Sequence, residues 1–398
     1  MKRDPTSSST GVAAGLVRRL KRRRQDLGAT VSRLAEWSGI DQARLTELEK
    51  SAEGLSSSEF EQWCRGLAVA PGAFWAGKDQ DPRRGVVRFK TAGAPAERLS
   101  PDDLRLLSLA GEVGRIVGGL LMAMDRPVRL EGLRRVHPIR PSVRPGEDGY
   151  RLAEKARRTM ELGADVLFDL DDFLRGLGVC VAEVVFSIDA VEAASVWEPG
   201  MAPVMLVNSS APRCRNPLAR RAVLAHELCH LLHDAGENDL CTLVSWAEGE
   251  GNYTQAVEQR ARGFAPAFLA PPGAVRLWWD DRGTGSGTRG ECIVAAMASH
   301  WGLSWEGSAY HAGNTLLISK TEARDIANSR PPRSEEEALT AASLAFRPKL
   351  PAPTTMDIAG EPVDVTPLVG RFGLSVVSDS LDKGLITSAR AREILTWQ

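Results

Sequence analysis

The chain has 398 residues, 43% hydrophobic and 25% charged, a globular balance that excludes wholesale disorder and fibrous repeats. At roughly 100–200 residues per domain, that length predicts two or three domains. A net charge of −1 conceals an asymmetry: residues 1–150 carry 26 Lys/Arg against 19 Asp/Glu, and the remainder 24 against 32, so a polyanionic partner is expected to meet the front half.

Residues 12–78 read as a run of short helices. The first, LVRRLKRRRQDLG, sets Leu16, Val17 and Leu20 among six basic residues between Arg18 and Arg24. Thr30 stands as an N-cap and Gly39 where the chain must turn between helices. Leu34, Ala35, Ile40, Leu45 and Leu48 have the spacing of a small helical core, and Ser56–Ser58 followed by Glu59 and Glu61 marks another helix start. Residues 79–149 read as a helical linker region. Within it, Leu104 to Met124 is the nearest approach to a membrane span, but Arg105, Glu112 and Arg115 make it an amphipathic soluble helix. Beyond Tyr150 come two helices, then the β-branched runs VCVAEVVF and PVMLVN as strands, then the helical PLARRAVLAHELCHLLH. From 331 the chain reads as a solvated linker and a helical tail. The start lacks a hydrophobic signal core, and the six cysteines form no C-x-x-C pair, so a cytoplasmic protein with neither disulfide scaffold nor membrane partner is expected.

His226–Glu227–Leu228–Cys229–His230 is an H-E-x-x-H on a predicted helix. Two histidines four apart share a helix face and can bind one metal ion, with Glu227 beside them as general base. Zinc suits the set, because it takes neutral imidazole and carboxylate and keeps a position open for substrate. A peptidase of this type needs a third ligand, and the residues leave His233, His300, His311 and Glu258 open. His233 lies two turns beyond His226, about 10 Å along the axis of a straight helix, which disfavours it.

The blocks RRAVLAHELCHLLHD, EQRARGFAPAFLAP and IVAAMASHWGLSWEGSAY together resemble the ImmA/IrrE family of bacterial metallopeptidases. The resemblance covers most of 150–398, with 271–290 as an insertion. Its E-x-x-A-x-x-F-A motif falls on Glu258, Ala261, Phe264 and Ala265, so the resemblance implies Glu258 as third ligand to one Zn2+ per chain. The departures are Cys229 for the usual Gly, Ala222 and Val223 for an aromatic–Thr pair, and Gly263 with Pro266, which are expected to interrupt the second helix.

Residues 16–70 resemble the lambda-repressor-like (XRE) helix-turn-helix through Leu34, Ala35, Gly39, Ile40, Leu45, Leu48 and Glu49, with Val31 where that family often has Gln. The resemblance implies a recognition helix at 41–50, with Gln42, Arg44 and Thr46 facing base edges and Arg18, Arg19 and Arg22 on phosphates of double-stranded DNA. A four-helix protein-interaction module is the alternative for this segment. Such modules often precede the peptidase domain through a linker similar to Arg88–Phe89–Lys90. The expected fold is therefore multidomain α+β: an all-α helix-turn-helix module at 12–78, the linker region at 79–149, a zincin-like α+β metallopeptidase domain at 150–330, and the helical tail at 331–398. The expected function is a DNA-binding regulator that cuts a repressor or antitoxin-like protein partner. The rivals are a non-proteolytic transcription factor with structural or sensing zinc, and the antitoxin of a toxin–antitoxin pair; a homodimer is among the open assembly states.

Overall fold

The computed structural model describes residues 6–72, 88–89, 99–134, 144–234, 241–246, 254–282, 288–348 and 353–397. Four helices open the chain: α1 (Thr6–Asp26), α2 (Val31–Ser38), α3 (Gln42–Ser51) and α4 (Ser57–Gly66). Local chemistry sets their ends. The Thr30 hydroxyl accepts from the Arg33 N–H, Asp41 accepts from the Ala43 and Arg44 N–H groups, and Ser56 and Glu59 form a reciprocal cap. Gly39 closes α2 at φ 71°, a left-handed conformation that costs glycine little. Leu20, Leu34, Leu45, Leu48, Phe60 and Trp63 bury their side chains in a core belonging to this bundle.

Most of the remaining described chain packs around a second core, with Leu218, Ala342 and Phe346 forming a small separate cluster. A five-stranded mixed sheet runs in the order β1-β5-β3-β4-β2, from β1 (Arg88–Phe89), β2 (Cys180–Val184), β3 (Val191–Trp197), β4 (Val204–Asn208) and β5 (Cys241–Trp246). β3 is antiparallel to both neighbours and buried along its whole length, while β1–β5 and β2–β4 are parallel. The VCVAEVVF and PVMLVN runs supply β2 and β4 as expected from their β-branched content.

The segment read as a helical linker contains α5 (Pro101–Ala123), a core helix. It is long and apolar enough to cross a membrane by length and composition, but Leu107, Val113 and Val117 are fully buried in the protein interior. A short α6 (Arg129–Arg134) follows. Residues 331–398 are likewise more than a linker and tail. The hairpin β6 (Thr355–Ile358) and β7 (Glu361–Asp364), with the terminal helices Gly370–Asp382 and Ser388–Leu395, sinks Ile358, Val369, Val377 and Leu395 into the main core. Two strands of only four residues each hid this.

Two further helices build the site's frame: α7 (Pro145–Thr159) and α8 (Leu170–Gly176), followed after the strands by α9 (Pro212–Arg215), α10 (Pro217–His233) and α11 (Thr254–Leu269). Helix α11 is unbroken through Gly263 and Pro266, contrary to the expected interruption. Gly263 is needed for a different reason: a Cβ there would lie 2.2 Å from Gly146 O, and one at Gly149 would lie 2.1 Å from Arg260 O. Backbone meets backbone where α7 crosses α11, and the glycines permit that approach. Within the region expected to be an insertion, Pro272–Asp281 forms α12; α13 (Gly290–Trp301), α14 (Trp305–Asn314), α15 (Lys320–Ala327) and α16 (Arg333–Ala345) complete the layer.

Candidate metal centre

Helix α10 begins at Asn216, whose side chain accepts from the Leu218 and Ala219 N–H groups, with Pro217 in the first turn. Two buried arginines then lock it in place. Arg220 pairs with Asp171 of α8 at 2.6 and 2.7 Å, and Arg221 donates to Gly302 O and Phe168 O while lying 4.3 Å over the Phe346 ring. His226 and His230 consequently project from one face of a fixed helix. Their Nε2 atoms lie 2.9 Å apart. Glu258 arrives from α11, with Oε2 3.0 Å from His226 Nε2 and Oε1 3.4 Å from His230 Nε2.

Among the described residues, His226, His230 and Glu258 are the one group of three potential metal donors, all within 4.8 Å of one another. The donor chemistry fits zinc: two imidazoles and one carboxylate, with the far nitrogen of one imidazole already engaged. That engagement is His230 Nδ1 to Asp234 Oδ2 at 2.8 Å. Arg260 of α11 contacts the other Asp234 oxygen, which ties the two metal-bearing helices together through their supporting groups. Burial pushes the His230 pKa down, but the carboxylates of Glu258 and Asp234 outweigh it and hold the ring well above 6.5. Glu258 is raised by burial and lowered more strongly by the two histidines, ending well below the ordinary carboxylate range. Such a cluster of like-placed donors and opposed charges is what a divalent cation would resolve.

Glu227 is fully buried, and Ser195 of β3 donates to its Oε2 at 2.5 Å. Sheet and helix thus fix the carboxylate of the residue that follows His226 in the chain. Cys229 is also fully buried, and desolvation raises its thiol well above 9. The remaining histidine candidates lie elsewhere. His233 packs edge-on against Phe264, His300 stacks on Trp278 at 4.7 Å, and His311 is buried between Tyr150 and Ala270 O. A cavity of about 900 Å³ opens beside His226, walled by Ala222, Val223, Ala265, Pro266, Tyr150 and Leu303 among others.

In the front bundle, the structure places Arg18 and Arg22 exposed on α1 and Arg19 half-buried. The basic run is not a uniform face. Arg23 is buried with no hydrogen-bond partner for its guanidinium among the described residues, and burial holds it down to about 10, against the pull of Glu112 on α5. Arg24 is bidentate to Glu49 of α3 at 2.7 and 2.8 Å. On α3, Gln42 is exposed, Thr46 bonds back to Gln42 O, and Arg44 reaches sideways to Glu59 at 2.7 Å, Gly54 O at 2.7 Å and Glu47 at 3.1 Å. The bundle rests on α5: Arg33 and Trp37 Nε1 donate to Asp102, and Arg105 donates to Gly66 O.

Sequence reasoning missed Asp234, Arg260 and Ser195. Asp234 carried a readable signal, a carboxylate four residues after His230, at the C-cap of the same helix. Ser195 carried none, since its meeting with Glu227 depends on how β3 crosses α10.

Residues 177–306 match the family model of Peptidase M78, described as the IrrE N-terminal-like domain. The matched span contains His226, Glu227, His230 and Glu258 and supports a metallopeptidase-type domain. The four opening helices lie outside it. No curated protein and no solved structure matches the chain.

Proposed function

We propose that this chain is a zinc-dependent endopeptidase with an N-terminal DNA-binding module, and that it makes a limited cut in a repressor or antitoxin-like partner. The observation that carries the reading is the convergence of His226, His230 and Glu258 within 4.8 Å, on a helix where the buried Glu227 directly follows His226. Bound zinc would polarise the scissile carbonyl and acidify the attacking water. Glu227 accepts the proton of that water and returns it to the leaving nitrogen. Ser195 holds one Glu227 oxygen, so the carboxylate keeps its orientation through both transfers. Asp234 accepts a hydrogen bond from His230 Nδ1–H, which leaves the Nε2 lone pair for the metal.

For the front module, DNA binding is supported by the helix-turn-helix spacing and by the exposed Arg18 and Arg22 of α1. Those cations suit phosphates. The capture of Arg44 by Glu59 and Glu47 favours a second reading for this module alone, a protein-docking bundle without base readout.

The deciding experiment is zinc analysis and partner capture with the full chain. Wild type is expected to carry about one zinc, and Glu227→Gln to keep it while retaining an uncleaved partner from the native host. Digestion of casein by wild type, with no partner retained by Glu227→Gln, would leave a general peptidase instead. Failure to bind zinc would remove the enzymatic reading.

A further inference from the structure

The cavity beside His226 holds a polar group that the chemistry above does not use. Tyr150 of α7 lines it, with its hydroxyl 2.8 Å from His311 Nδ1 and accepting from Asn314 Nδ2 at 2.9 Å. The direction of the first bond follows from the far side of the imidazole. His311 Nε2 lies 2.7 Å from Ala270 O, and a carbonyl oxygen only accepts, so Nε2 carries a hydrogen. His311 is fully buried, and desolvation pushes its pKa down to about 4, so the ring is neutral near pH 7. Its Nδ1 is then a bare lone pair, and the Tyr150 hydroxyl must donate to it. Desolvation also raises Tyr150 to about 12, which keeps that hydrogen in place.

Tyr150 therefore has no hydrogen left for a guest; it has only acceptor capacity. The other walls say which donor suits it. Ala222, Val223, Ala265, Pro266 and Leu303 are apolar. Of the carboxylates on the lining, Glu147 and Glu306 are exposed to water, and the buried one, Glu192, accepts from Arg213 at 2.9 and 3.1 Å, so a cationic guest would lack a free buried counter-charge. A neutral N–H among apolar groups fits this surface.

We propose that Tyr150 is a substrate-positioning residue, its oxygen accepting a main-chain N–H of a peptide lying in the cavity beside His226, with the polarity set by His311 and Asn314. This rests on the peptidase reading and adds a direction to it: Tyr150 grips an amide hydrogen and does not donate to a substrate carbonyl.

The test is a binding cycle that needs no cleavage. Full-length, zinc-loaded Glu227→Gln is titrated by ligand-observed NMR with acetyl-leucyl-phenylalanine amide. The titration is repeated with analogues in which each internal N–H in turn is replaced by an ester oxygen. One analogue is expected to bind roughly 3–10-fold more weakly than the parent amide. Adding Tyr150→Phe should weaken the parent by the same factor and abolish the difference between parent and that analogue. Melting temperature and zinc content check that the added substitution leaves the fold intact; if it does not, the ester comparison with Tyr150 present decides alone. Equal binding of parent and every ester analogue overturns the proposal, as does a loss that persists with Tyr150→Phe, or no binding of the parent. An intact cycle alongside a wild type that cuts no partner would instead count against the peptidase reading and leave the Tyr150 contact standing.

Discussion

The metal cluster and the outward face of α3 are both built from polar residues about a turn apart on a helix, yet they are held in opposite ways. At the cluster, His226 and His230 are short side chains on a helix pinned by Arg220 and Arg221, and they meet the carboxylate that the family resemblance implied. On α3, Arg44 is long enough to leave its face and pair with Glu59, fifteen residues away. Helix periodicity therefore predicts where an imidazole points. It does not predict where a guanidinium ends, because four rotors let it choose among nearby carboxylates.

The sharpest way to break this comparison is to move the metal-bearing helix without touching a ligand. Gly263→Val puts a branched side chain where a single Cβ already lies 2.2 Å from Gly146 O. The crossing of α7 and α11 must open, and α11 carries both Glu258 and Arg260. Loss of bound zinc and a destabilisation of about 3 kcal/mol or more are expected, read by metal analysis and urea unfolding. Full zinc content and unchanged stability would show that the cluster does not depend on this crossing.

Much of the cluster was legible because its elements are long and periodic. PLARRAVLAHELCHLLH announces α10 and its two histidines, and the match of Glu258, Ala261, Phe264 and Ala265 to one motif located α11. What the sequence concealed was tertiary. Gly263 looked like a helix breaker and is a contact point, because its role belongs to a partner helix more than a hundred residues earlier. The strand VEAASVW was unread because Ala and Ser dilute its β-branched signal, though every residue of it is buried. The basic run of α1 looked uniform, and only packing against α5 separates buried Arg23 from exposed Arg22.

Burial also separates the two regions in their response to acid. His311, buried against the cavity wall, has a folded pKa near 4 against an ordinary 6.5. Between those values the unfolded chain binds a proton that the folded chain excludes, so stability falls as pH drops through this window and levels off below it. The contribution is up to about 3 kcal/mol, from about 1.4 kcal/mol per unit. His311→Gln should flatten the profile between about pH 6.5 and 4. Subtracting the variant's unfolding profile from wild type isolates this histidine from the others. A difference profile with no slope there would mean that His311 is not held neutral by burial.

The smallest effect belongs to Arg44, and it tests the other half of the comparison. Glu59 is lowered to about 2, chiefly by the Arg44 side chain, yet both groups face water and their pair is screened. Arg44→Met keeps the aliphatic stem and removes the charge, so the cost to folding is expected to be small, as for an exposed ion pair. Its effect on DNA is the informative one. If Arg44 remains committed to Glu59, Glu47 and Gly54 O when the module binds duplex DNA, Arg44→Met will bind every sequence as wild type does. Arg18→Ala with Arg22→Ala will instead weaken binding to all sequences and flatten its salt dependence, because those exposed cations release counterions from phosphates. A specific loss of sequence preference in Arg44→Met would show that the arginine leaves its carboxylates to reach a base. The outward face of α3 would then be as legible from helix spacing as the metal cluster, with Glu59 acting as the rest position of a reading residue.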